Sequence, residues 1–159
     1  MSVRNDSTNR AYEPHPRVAR LIDVWTRMKP EPELVPPRRA MDPAQFPDLL
    51  PYVWMLDIHH EPMRACYRLV GEASVRIRGH SLRGQWIEPD DPIMWRVEKT
   101  VTTLVPSWRR GSTNMPVVQH LHGNVEVETL LLPIAEDGRR VDVVLGLTLY
   151  FDLAGQPLI

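Results

Sequence analysis

The chain has 159 residues, a length suited to one domain, and its 19 Lys and Arg against 20 Asp and Glu leave a formal net charge of −1. That balance excludes a basic nucleic-acid coat, an acidic tail and a disordered polyelectrolyte. No apolar run approaches the roughly 18 residues of a membrane span, and a single Cys excludes both an intramolecular disulfide framework and a multi-thiolate zinc site.

Residues 1–14 lack apolar periodicity and read as a disordered tail. From Pro16 onward Val18, Leu21, Ile22, Trp25 and Met28 recur at three- and four-residue spacings, the stripe of an amphipathic helix. Pro16 suits its first turn, and Pro30 and Pro32 end it. Residues 15–51 thus form an N-terminal helix and a linker with 7 prolines between positions 30 and 51. Within that linker Asp42-Pro43-Ala44-Gln45 reads as an N-cap, a first-turn proline and a capping-box glutamine. A short helix bearing Phe46, Leu49 and Leu50 is expected to follow.

Residues 52–151 form the core. Two strands, 52–59 and 64–70, are joined by a turn through His60, Glu61 and Pro62. The stretch from Gly71 to Gly84 reads as short helical pieces broken at Gly79 and Gly84. Asp91-Pro92 opens a clearer helix with Ile93, Val97, Val101 and Leu104 on its buried face, closed by Pro106. Three strands follow at 114–122, 125–134 and 140–151, separated by Gly123-Asn124 and Asp137-Gly138, dipeptides that suit two-residue hairpin turns. Those turns pair Leu121 with Glu126 and Ile134 with Val141. One sheet face then carries Val118, His120, Val127, Thr129, Leu131, Val144, Gly146 and Thr148. The other carries Val117, Leu121, Leu130, Leu132, Val143, Leu145, Leu147 and Leu149. Both faces are apolar, so each requires a cover. Residues 152–159 are a C-terminal tail.

Two strands, a helical cross-over and a three-stranded meander resemble the topology of PAS domains. Tyr67-Arg68-Leu69-Val70-Gly71, with Gly79 and Gly84 inside IRGHSLRGQWI, resembles the PAS passage from the second strand into short helices. The stretches MDPAQFPDLLPYVWMLDIH, YRLVGEASV and ETLLLPIAEDGRRVDVVLG, behind a helix bearing Trp25, resemble a family of small bacterial single-domain PAS-like proteins over residues 18–151. The resemblance implies an α+β fold: a five-stranded antiparallel sheet with cross-over helices on one face and the N-terminal helix on the other. It also implies a non-catalytic sensory or regulatory domain that binds a small ligand, a partner protein in signal transduction, or both, and the lack of an apolar span in the sequence leads to the expectation of a cytoplasmic one.

Several residue groups are candidates for chemistry. His120 and His122 share a strand face as metal ligands would, but no third ligand is evident, so they read as hairpin-end histidines and no metal is assigned. Cys66 lies between Arg64 and Arg68, whose charge favours a thiolate; a free Cys is more commonly a small buried hydrophobe. Arg64, Arg68, Arg76, Arg78 and Arg83 face one acid, Glu72, across twenty residues, the makings of an anion site or of a solvated helical face. A small enzyme acting on an anionic substrate through these arginines or Cys66 is the alternative reading. Glu126 and Glu128 share a face but read as its wetter end rather than as an acid–base pair. Phosphate-loop and nucleophile-elbow motifs are absent, no catalytic residue is assigned, and nucleic acid is not an expected partner.

A cavity between the cross-over helices and the sheet is the expected ligand site. Tyr67, Trp86, Trp95, Val97, Val101, His120, Thr129, Gly146 and Thr148 are its candidate lining, with Gly146 freeing space. The sequence names no cofactor. On the other face Leu21, Ile22, Trp25 and Met28 of the helix and Leu145 and Leu147 of the sheet are candidates for cover. A helix of about 13 residues spans only ~20 Å, marginal for five strands ~4.8 Å apart, so a homodimer built on this helix and the outer face is expected.

Overall fold

The computed structural model of the chain describes residues 13–113 and 125–158. Its elements run α1 (Pro16–Met28), β1 (Val53–His59), β2 (Arg64–Val70), α2 (Glu72–Arg78), α3 (Pro92–Thr103), β3 (Ser107–Thr113), β4 (Val125–Ile134) and β5 (Val143–Phe151). The strands form one sheet in the order β2-β1-β5-β4-β3, and every neighbouring pair is antiparallel. The expected α+β architecture is the one formed.

Local chemistry accounts for the helix ends. His15 caps α1, its ring Nδ1 accepting from the Arg17 amide at 3.1 Å, and Pro16 occupies the first turn. Gly79, at φ +79°, stops α2 after two turns in a left-handed conformation that costs glycine nothing. Asp91 caps α3 by accepting from the Ile93 amide at 3.0 Å. The proline-rich segment forms three short 3-10 turns, Arg38–Ala40, Pro43–Gln45 and Pro47–Tyr52. Asp42 caps the second, as expected. Gln45, however, donates to the Ala40 carbonyl, where the capping box would have turned it back onto residue 42.

Three expected features of the strands are corrected. The third strand lies at Ser107–Thr113, because Arg96 on α3 donates to the Ser107 hydroxyl and carbonyl and feeds the chain into the sheet directly after the helix. The stretch 114–122 and the Gly123-Asn124 turn lie outside the described residues, and Glu126 pairs with Ser112 rather than with Leu121. Ile134 pairs with Val143 rather than Val141. Asp137 accepts from the Arg139 and Arg140 amides, which widens the turn, and Val141 folds beneath the sheet into the core. A two-residue slip keeps every side chain on its own face, so the derived faces of β4 and β5 stand.

The outer face packs Leu130, Leu132, Ile134, Leu145, Leu147 and Leu149 against Val18, Leu21, Val24 and Trp25 of α1, with Ile22 and Met28 half-buried at the margin. Val35, Met41, Phe46 and Leu49 of the proline-rich segment complete the cover. Backbone bonds from Val35 to the Gly138 carbonyl and from Ala135 to the Pro36 carbonyl hold the segment there. The expected dimer rested on a face that one helix covers only marginally. That cover comes from within the chain, leaving Leu145 and Leu147 only 2 % and 0 % exposed.

Glu128 is buried in this outer layer at 0 % exposure. Its Oε1 accepts from the His15 backbone amide and from the Trp108 indole, each at 2.8 Å, while Oε2 faces Arg110 Nη1 at 3.8 Å. A buried carboxylate survives only with such partners. It therefore ties the start of α1 to β3 and β4. The expectation that Glu126 and Glu128 mark the wetter end of this face is therefore corrected: Glu128 is buried, and Glu126, itself largely covered, meets Arg110 Nε at 2.7 Å.

Two outcomes are expected. Trp25 is buried and donates to the Pro133 carbonyl at 2.9 Å, so Trp25→Ala should lower the unfolding free energy by about 3–5 kcal/mol in chemical denaturation. Desolvation, aided by Arg17 and Arg110 and opposed by Glu128, holds the His15 pKa below its ordinary value. The folded state therefore favours the neutral ring, whose stabilisation is present above about pH 6.5 and is lost as pH falls through the lower folded value. His15→Asn keeps a capping side chain without the titration. Its denaturation midpoint should fall less than that of the parent between pH 7.5 and 5.5, and equal falls would remove His15 from the account.

Candidate functional site

The inner face carries Trp54, Leu56 and Ile58 of β1, Ala65 of β2 and Val144 of β5, packed against Ile87 and against Met94, Val97 and Val101 of α3. This cover is incomplete. A cavity of about 310 Å³ remains between the sheet, the end of α2 and the start of α3. Trp54, Val127, Thr129, Thr148 and Tyr150 form its floor. Ser74, Arg78, Leu82, Asp91, Pro92, Ile93 and Arg96 form its roof. Tyr67 and Val70 of β2 wall one side, and Arg109, Gly111 and Ser112 of β3 the other. Its volume lies at the small end of ligand pockets, about ten waters' worth at ~30 Å³ each.

The polar groups are arranged in a row. Arg109, Thr129 and Thr148 pair across β3, β4 and β5. The Trp54 indole donates to the Thr148 hydroxyl at 2.8 Å, and Ser74 and Tyr150 share a hydrogen bond of 3.2 Å. Arg96 reaches down from α3 and donates to the Thr129 carbonyl at 3.1 Å. Burial, reinforced by the neighbouring Arg109 charge, pushes its pKa down to about 10, so it remains protonated at neutral pH. Burial raises the Tyr67 phenol, against the opposing pull of Arg78, and keeps it a neutral donor.

Of the residues singled out in the sequence, Tyr67, Thr129 and Thr148 line this cavity. Val97 and Val101 sit beside it in the packed inner core. Gly146 does free space, but the Trp54 ring takes it: a Cβ on Gly146 would overlap the indole. Trp86 and Trp95 stand away from the cavity, 42 % and 58 % exposed. Trp86 lies between His59, 4.9 Å away, and the Arg64 guanidinium, 4.2 Å away, while Trp95 carries Lys99 at 4.9 Å. His120 and His122 lie outside the described residues.

The arginine cluster separates. Arg68 pairs with Asp57 at 2.8 Å, Arg76 pairs with Glu72 and Arg64 covers Trp86; Arg78 alone of the five lines the cavity. Cys66 faces the edge loop, bridged to Trp86, and is not among the lining residues. His59 ends β1 against Trp86, and His60 opens the turn, its ring bonded to the Val141 carbonyl at 2.8 Å. Among the described residues no three His, Cys, Asp or Glu side chains gather as metal ligands, and no helix is long and apolar enough to cross a membrane.

Sequence reasoning missed Trp54, Ser74, Arg78, Arg96, Arg109 and Tyr150 as lining residues. Arg96 left one signal, a charge one position away from Val97 on the apolar side of α3. Arg109 left none while its strand went unrecognised.

A family model described as PAS domain matches residues 13–149. No curated protein matches the sequence. Among solved structures a LOV protein from Rhodobacter sphaeroides is similar, at 11 % identity and a TM-score of 0.49, over 72 % of this chain and 71 % of that one.

The fit of Trp54 over Gly146 is directly testable. Gly146→Ala should displace the indole, break its bond to Thr148 and cost about 1–3 kcal/mol in chemical denaturation. Trp54→Leu in the Gly146→Ala background should cost less than the two single changes added together. Strict additivity would mean that the two positions do not meet.

Proposed function

The chain belongs to the PAS domain family, and from that premise we propose that it is a sensory domain that takes a small molecule into the cavity between its sheet and the α2–α3 cross-over and passes occupancy to a partner protein. The observation that carries this reading is the cavity itself. The outer face is packed by α1 and the proline-rich segment, whereas the inner face keeps 310 Å³ open beside the buried hydroxyls of Ser74 and Thr148 and three guanidinium groups. A space retained for packing reasons alone is small and apolar; this one is lined by Ser74, Thr129, Thr148, Tyr67 and Tyr150 as well as by Trp54, Val70 and Ile93. Its roof is a seven-residue helix, the segment leading to α3 and the start of α3. A ligand touching the roof and the sheet together stabilises one arrangement of that roof over others, which is how occupancy becomes a conformational signal.

The reading is tested on the full chain by recording amide and methyl NMR spectra during titration with a library of small metabolites. A binder should move the resonances of Val70, Ile93, Val127 and their neighbours while leaving Leu130 and Leu147 on the outer face unmoved. Shifts confined to the outer layer or to the surface around Trp95, or none across the library, would overturn the assignment of the cavity as the sensing site.

A further inference from the structure

Resting on that reading of the cavity, we infer that the ligand is a small organic anion, a carboxylate or phosphate head on a short apolar body, with the head held between Arg96 and Arg109. Three guanidinium groups line the cavity, those of Arg78, Arg96 and Arg109, against one carboxylate, that of Asp91. Asp91 is engaged as the cap of α3, accepting from Ile93. None of the three arginines forms an ion pair with a described acid, although the other arginines of the fold do so repeatedly: Arg20 with Asp48, Arg39 with Glu136, Arg68 with Asp57 and Arg110 with Glu126. The cavity therefore holds an excess of positive charge, with Arg78 and Arg96 partly buried and Arg109 exposed.

The geometry at Arg96 is specific. Its Nε and Nη2 are occupied by Ser107 and the Thr129 carbonyl, which fixes the plane of the guanidinium. Nη1 donates to no described residue. Arg109 stands opposite Thr129 in the ladder, on the same inner face, and its side chain bonds to nothing described. Both guanidinium groups thus line the same cavity, and an anion between them would relieve their like charges. Planar or tetrahedral oxyanions match the guanidinium fork in a way a neutral amide does not. From this end the cavity runs towards Trp54 and Val70 near β1 and β2, which provide an apolar bed for the remainder of the molecule. A volume of about 310 Å³ suits a small ligand.

Calorimetric titration of the full chain with benzoate, hexanoate and phenyl phosphate, each beside benzamide or hexanamide as uncharged counterpart, tests the inference. The acids should bind at least tenfold more tightly than the amides, and their affinity should fall as salt is raised from 20 to 300 mM. Arg109→Gln should weaken the acids by tenfold or more while leaving the ligand-free unfolding midpoint in place, since Arg109 supports no described contact. Arg96→Gln should weaken the acids and the fold together, which is why Arg109 is the deciding variant. A stronger carboxylate or a stronger phosphate supports the inference and identifies the head group. Amides that bind as tightly as the acids, or acids indifferent to Arg109→Gln, overturn the anion while the cavity stands as a ligand site. If neither class binds, the anion inference falls, and the cavity is judged by the library titration alone.

Discussion

A sheet that is apolar on both faces cannot exist alone in water, and the remainder of this molecule follows from that constraint. Five antiparallel strands present Leu130, Leu132, Leu145 and Leu147 on one side and Leu56, Leu131 and Val144 on the other. Each side buries its own core, and the two cores are built differently. The outer one is assembled from a helix and a proline-rich segment, whose fixed φ angles make an extended cover that loses little further entropy on docking. The inner one is roofed by helices that stop short. The same requirement that closes one face leaves the other with a chamber.

The two layers meet in strand β4. Glu128 points outward and receives the His15 amide and the Trp108 indole. Its neighbour Thr129 points inward and gives its carbonyl to Arg96. Two consecutive residues are therefore gripped from opposite sides, one by the entrance of α1 and the other by the guanidinium at the cavity wall. Packed interfaces of this kind respond to a bound group by small concerted shifts rather than by local give. The contact sets the cavity wall and the entrance of α1 on consecutive residues of one strand.

Much of this architecture is legible in the sequence, for a definite reason. Side-chain alternation along 125–134 and 143–151 survives an error of two residues in the turn, so the faces of β4 and β5 emerge correctly even though Asp137 and Val141 make the connection longer than a tight hairpin. Helix α1 and the Asp91 cap of α3 announce themselves through proline and spacing. Strand β3 is hidden because an edge strand is obliged to look unlike a core strand. Its Arg109, Arg110 and Gly111 are the charged and small residues that keep an open edge from pairing with another chain. The cavity wall is hidden with it, since Arg109 acquires meaning only once it lies beside Thr129 and below Arg96. Trp86 and Trp95 misled because bulk and aromaticity do not say which way a side chain faces.

Trp54 over Gly146 has an evolutionary corollary. The depth of the chamber is set by one ring lent from β1 to a vacancy in β5, not by the path of the backbone. A smaller residue at position 54 would lower the floor, and a larger one at 146 would demand that surrender first. Neither site can drift alone without passing through a clash or a void. Together they form a single adjustable step by which the depth of the chamber can change while the ladder between the two strands remains intact.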